Sequence, residues 1–365
     1  MPLRDYAYAI VARAQSLFNH SPPKISELAQ CQTMTMMAGF ILKRPRNRGF
    51  VLGAFIAAAL LGVVQPSLAT RLDEPIVPLP ATLHVNAARA DIGRRMFHDV
   101  RLSANGRVSC ASCHDTTTSG ADGRPHSLGF HGQATAVNAP TVFNAALNFV
   151  QFWNGRAASL EAQVDGVVQN PVEMGSKWDD VVTMATRDAV YRPAFAAAYP
   201  DGVTKANIQN AIASYERTLI TPNSRFDRYL QGDANVITAE EKKGYAKFKQ
   251  YGCIACHQGV NVGGNMFQKF GVMDDYFARR GNPAKADLGR FLVTGEEDDK
   301  HVFKVPSLRN VALTAPYFHD ASAPTLEAAV DVMFRYQLGR VASSQDKSEI
   351  IAFLKTLTGK VAGKP

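Results

Sequence analysis

The pentad CASCH, Cys110 to His114, returns as CIACH, Cys253 to His257, and these two stretches hold four of the chain's five cysteines. Few patterns restrict a fold so tightly, because only three chemistries use cysteines paired in this way. A disulfide or thioredoxin-like dithiol calls for a βαβ surround, and here the flanking sequence is helical and loop-like. A zinc ribbon keeps its two CxxC pairs about 15–20 residues apart, whereas 139 residues separate Cys113 from Cys253. The third chemistry is covalent haem attachment, for which C-x-x-C-H is the signature. Two thiols add across the two vinyl groups of one porphyrin. Two intervening residues let a single helical turn present both sulfurs to one edge, and the adjacent histidine supplies the proximal nitrogen to the iron. Cys110, Cys113 and His114 form one such set and Cys253, Cys256 and His257 the other, so the chain is expected to carry two c-type haems.

Thiols outside the cytoplasm become disulfides unless something else claims them, so the compartment matters. Lys43, Arg44, Arg46 and Arg48 precede sixteen uncharged residues, 49–64, and small residues follow at Ser67 and Ala69. A positive flank, a short apolar run and a small-residue cleavage site make a secretory signal peptide. Sixteen residues is short for a membrane span, so residues 1–69 are expected to be a leader and the mature protein periplasmic. Residues 1–36 exceed a normal leader. Either the leader is long or translation starts at Met36 or Met37, and Cys31, which lies there, is given no role. Residues 1–69 hold seven Lys/Arg and two Asp/Glu, so five of the chain's eight net positive charges are theirs and about +3 remains on the mature part. The basic balance is a leader property and does not point to nucleic acid. The 296 residues after Ala69 can build a core without disulfide staples.

The chain also repeats itself. APTVFNAAL (139–147) matches VPSLRNVAL (305–313). Thirteen residues after Pro140 and Pro306 come Trp153 and His319, and nineteen after come Ser159 and Thr325, each opening a Ser/Thr-Leu-Glu-Ala helix start. Matches at fixed offsets indicate two haem-binding units in tandem. From His257 to Pro306 is 49 residues against 26 from His114 to Pro140; the extra length is Gly-rich at GVNVGGN and charged at TGEEDDK and reads as a surface loop.

Helices are expected elsewhere. Thr238 with Glu241 forms a capping box before CIACH, ARADIGRRMF precedes CASCH, residues 203–222 read as one helix ended by Pro222, and SEIIAFLKTLTG carries an apolar stripe ending at Gly359. No long alternating strand pattern appears. The expected fold is all-α: two cytochrome c-like haem domains, 70–222 and 223–365, with the seam near Thr221 to Asn235.

The sixth ligand of each iron sets its task, since methionine favours electron transfer and an open or displaceable position favours chemistry. For the second haem the methionine candidates are Met266, Met273 and Met333. For the first, His126 and His131 follow the pentad. Glu173, in QNPVEM, would be a natural general acid–base for O–O cleavage if it lies near an open haem.

RLSANGRVSCASCH, NAPTVFNAALN, QFWNGRA, VEM, YGCIACHQGVNVGG, VPSLRNVALTAPYFHD and LKTLTG together make the stretch from Asp91 to Gly359 resemble the bacterial di-haem cytochrome c peroxidases. The resemblance implies a low-potential peroxidatic haem at Cys110, Cys113 and His114, and a high-potential electron-accepting haem at Cys253, Cys256 and His257 with Met333 as its methionine ligand. It implies that Glu173 is the catalytic acid, that Trp153 relays electrons between the haems, and that Asn138, Thr314 and Pro316 hold a calcium ion, for which an all-oxygen set is chemically right. The family's displaceable distal histidine stands in a Gly-His-Gly context. Here the stretch is GFHG, so either Phe130 or His131 takes that place, and His131 is preferred. The implied reaction is reduction of hydrogen peroxide to water with electrons from a small c-type cytochrome or cupredoxin, and the implied assembly is a homodimer. Two other readings are a related enzyme that oxidises a protein tryptophan to build a quinone cofactor, which puts tyrosine where Met333 stands, and a non-catalytic electron carrier.

Overall fold

Helices begin where the sequence supplies a side-chain oxygen to cap them. In the computed structural model, which describes residues 74–361, Ser159 accepts from Ala162 N–H at 3.2 Å to open α3 (Leu160–Gln169), and Thr325 accepts from Ala328 N–H at 3.2 Å to open α11 (Leu326–Val332). The capping box of Thr238 and Glu241 opens α8 (Ala239–Gln250). The remaining helices are α1 (Ala87–Phe97), α2 (Cys110–Cys113), α4 (Trp178–Arg187), α5 (Tyr191–Ala198), α6 (Lys205–Glu216), α7 (Arg225–Leu230), α9 (Tyr276–Arg280), α10 (Phe291–Thr294) and α12 (Ser344–Lys355). The only strands among the described residues are β1 (Phe267–Lys269) and β2 (Val302–Lys304), paired antiparallel with Phe267 opposite Lys304. The mainly helical expectation holds. The leader expected over 1–69, with Cys31, lies outside the described residues.

Two expectations need correcting. The helix read over 203–222 stops at Glu216, because the chain then turns: Thr218 Oγ1 bonds back to Tyr215 O and Leu219 N–H to Glu216 O. The excursion between His257 and Pro306 is not simply a surface loop. Its charged tip, 294–298, is exposed, but Asn261 to Gly264 are buried, and Tyr276, Phe277 and Phe303 pack into an aromatic cluster with both strands nearby.

Two cores organise the helices. One joins α1, α3, α4, α5 and α6 through residues such as Met96, Phe97, Val168, Phe195 and Ile212, and it reaches Val361. The other joins α7, α8, α11 and α12 through Phe226, Tyr245, Phe248 and Phe353, and it includes Ile76. Each core is built around one close helix crossing. A Cβ added at Gly93 in α1 would lie 1.8 Å from Ala211 O in α6, and one at Gly244 in α8 would lie 1.8 Å from Glu349 O in α12.

The matched segments share backbone geometry. Asn144 and Asn310, four residues after Pro140 and Pro306, are both fully buried with φ of 62° and 60°. Both donate to Thr221 Oγ1, at 2.9 and 2.8 Å. Asn144 Oδ1 accepts from Thr221 N–H and Asn310 Oδ1 from Gly359 N–H. Residues 74–79 strap the second core: Tyr245 and Lys249 bond Glu74, Ile76 bridges Gly259, and Leu79 N–H donates to Asp227. Arg309, buried with Asp227 in a 2.6 Å ion pair, also donates to Val77 O and Val260 O. It therefore locks strap, α7 and the turn after CIACH to one another.

Candidate haem centres

In the first pentad, α2 is a single turn. Ser109 stays extended ahead of it, and its N–H donates to Ser112 Oγ at 3.0 Å. That turn carries the two sulfurs on one short element, as vinyl attachment demands. In the second pentad a 3-10 turn, Cys253–Ala255, does the same. All four thiols are free and half-buried. Burial raises the pKa of Cys110, Cys113 and Cys253, the last to about 11.

Both pentad histidines are poised as neutral ligands. Burial pulls His114 down and His257 to about 4, so each imidazole keeps a lone pair for a metal. His114 Nδ1 lies 3.2 Å from Gly120 O, and the Pro140 carbonyl also faces the ring. His257 Nδ1 faces the carbonyls of Val262 and Pro306 but reaches hydrogen-bond geometry with neither. Where Nδ1 carries the proton toward a carbonyl, Nε2 is the free ligating atom. The two prolines therefore occupy equivalent posts behind the two rings, a role the repeated proline signals but which the sequence reading did not assign.

Cys253, Cys256 and His257 line a cavity of about 260 Å³ together with Phe248, Leu354 and Met333. Met333 begins a π-helical turn, Met333–Gln337, that continues α11; such turns are frequent at functional sites. Met273 is 60% exposed, and neither it nor Met266 lines the cavity. Tyr336, on the same π turn, packs edge-on to Tyr276 and does not line it either. An apolar cavity with two thiols, a neutral histidine and a thioether fits a covalently held haem.

Trp153 lines this cavity too. Its Nε1–H donates to Asn138 O at 2.9 Å, its ring meets His319 edge-on at 6.4 Å, and its carbonyl accepts from Lys304 N–H at 2.8 Å. Asn138 lies two residues before Pro140, so a short covalent and hydrogen-bonded route runs from the second haem's cavity to the ring of His114. Asn138, Thr314 and Pro316 each line the cavity that Trp153 lines. Asn138 Nδ2 donates to Arg124 O, and its N–H to His319 O.

Near the first pentad, Glu173 is half-buried with Oε2 fully buried and unpaired. Burial raises its pKa, opposed by Arg156 and Asn170, and its charge is felt at Cys113. Arg156, over the Phe152 ring at 3.4 Å, is a neighbour the sequence reading missed. Phe130 donates its N–H to Glu173 O and its ring lies against Gly175. His131 is exposed and its ring packs against that of Phe130, centroids 3.8 Å apart, while His126 is half-buried with an unpaired Nδ1.

A family profile described as di-haem cytochrome c peroxidase matches residues 87–235. The chain is 46% identical over 288 residues to cytochrome c peroxidase Ccp of Escherichia coli, a match covering 79% of this chain but only 62% of that protein. It is 45% identical over 309 residues to cytochrome c551 peroxidase of Nitrosomonas europaea, covering 84% and 89%. Among solved structures, a MauG-like protein associated with microbial copper homeostasis superposes with a TM-score of 0.68 at 31% identity, covering 80% of this chain and 95% of that one.

Proposed function

The chain belongs to the di-haem cytochrome c peroxidase family, and from that membership we propose that it reduces hydrogen peroxide to water with electrons from a small redox protein. In this reading residues 70–222 carry the peroxidatic centre and 223–365 the centre where electrons enter. Two c-type haems, held by Cys110, Cys113 and His114 and by Cys253, Cys256 and His257, supply the iron that binds peroxide and carries charge. Met333, which lines the same cavity, would hold the iron of the second centre through its thioether, a ligand that favours electron transfer. Trp153, packed between that cavity and the Asn138 carbonyl, relays electrons toward the first centre.

Glu173 carries the catalytic claim. A carboxyl with a buried, unpaired oxygen beside the first pentad, its pKa raised by burial, can take a proton from the near oxygen of peroxide and hand it to the far one. His131, whose ring is exposed, is the displaceable group of that centre. A calcium ion bound by Asn138, Thr314 and Pro316 would brace the Trp153 contact with oxygen donors alone. The donor is a small c-type cytochrome or a cupredoxin, the enzyme is a periplasmic homodimer, and no helix among the described residues is long and apolar enough to cross a membrane.

The tryptophan-oxidising reading is less favoured, since Met333 and not Tyr336 lines the cavity. The pure electron carrier would leave Glu173 idle. The test is steady peroxide turnover with a reduced cytochrome c. Glu173→Gln, with both haems attached, should lower kcat by about 10²–10⁴; turnover equal to the parent's would refute the acid–base role.

A further inference from the structure

Lys304 is a buried cation that the proposed reaction does not use. It ends β2 opposite Phe267, is 6% exposed and lines the cavity that holds Cys253, Cys256 and His257. No Asp, Glu or Arg is among the described residues lining that cavity, and its other lysine, Lys269, is exposed. Burial pulls the Lys304 pKa down to about 8, with no neighbouring charge or hydrogen bond opposing the shift. A buried ammonium without a counter-charge on the protein is costly enough that its partner has to arrive with whatever fills the cavity. The proposed occupant is a haem, which brings two propionate carboxylates into a cavity whose protein walls offer no anion.

We propose that Lys304 is the counter-cation of a propionate of the haem attached at Cys253 and Cys256, and that it ties that haem's edge to the backbone of Trp153. The second half of the statement follows from the 2.8 Å bond between Lys304 N–H and Trp153 O. The inference rests on the di-haem reading. Its functional meaning is electrostatic. A bare carboxylate close to the iron favours the ferric state, so neutralising it makes the centre easier to reduce and suits it to accept electrons first.

The experiment uses the mature haem-loaded protein with Lys304→Met, Lys304→Gln and Lys304→Arg, measuring haem stoichiometry and the midpoint potential of each centre by redox titration. In the two neutral variants the equilibrium constant for reducing the second haem should fall roughly tenfold, about 59 mV for a one-electron couple, with the first haem's potential unchanged. Lys304→Arg should restore most of it. Loss of the second haem from both neutral variants but not from Lys304→Arg would equally support the ion pair. Neutral variants that keep two haems at the parent's potentials, or loss of the second haem from all three, would overturn it. A parent chain carrying fewer than two c-type haems would instead refute the di-haem reading beneath.

Discussion

Glu216 shows what one buried carboxyl does to this molecule. It closes α6 inside the first core, 4% exposed, with Oε2 unpaired, and burial pushes its pKa up to about 8 from an ordinary 4.5. Between those two values the unfolded chain gives up a proton that the folded chain keeps, so folding stability falls as pH rises from about 4.5 to about 8 and the full penalty stands above that window. Glu216→Gln should therefore raise the melting temperature at pH 8.5, and the gain should shrink as pH is lowered toward 4.5. A gain of the same size at both pH values would refute the assignment. Sequence alone showed the pentads, because covalent attachment is local chemistry written into five residues. It could not show Glu216 or Lys304 to be buried, since both residue types read as surface until the fold encloses them. The GFHG ambiguity has the same origin: which of Phe130 and His131 turns toward Glu173 is settled by loop backbone, not by residue type.

Elements were legible wherever a cap announced them. Ser159, Thr238 and Thr325 cap the helices expected of them because a side-chain oxygen three residues ahead of a free N–H is a local signal. The helix crossings were not legible, since a glycine inside a helical stretch looks like a weakness until its partner is known. Gly93 and Gly244 let α1 meet α6 and α8 meet α12 backbone to backbone. Gly93→Ala and Gly244→Ala should each cost about 1–3 kcal/mol or more by overpacking, read as a lower denaturation midpoint, although alanine is the better helix former. A neutral or stabilising result at either site would show that the crossing can open without penalty. The β1–β2 ribbon was missed for a related reason. Strands of three residues carry too little alternation to be seen, and only the burial of Phe303 and Lys304 reveals that they wall a cavity.

At the scale of the whole molecule, one hydroxyl joins the two matched segments. Thr221 Oγ1 accepts from Asn144 on one side and Asn310 on the other. Thr221→Val would strand two buried amide donors, at about 1–3 kcal/mol each, and Thr221→Ser should recover most of the loss; chemical unfolding of both variants checks the pair. The matched segments alone could not say that their asparagines converge on Thr221, because those contacts join residues 77 and 89 positions apart. The chain's course past Thr221 has a further consequence. Ile76 is built into the core formed mostly by residues 226–357, and Val361 into the core formed by 92–219. Severing the polypeptide after Pro222 would leave each fragment holding a piece of the other's interior. Neither half could be excised as a free-standing cassette, whereas the two fragments produced side by side should clasp and reconstitute the fold.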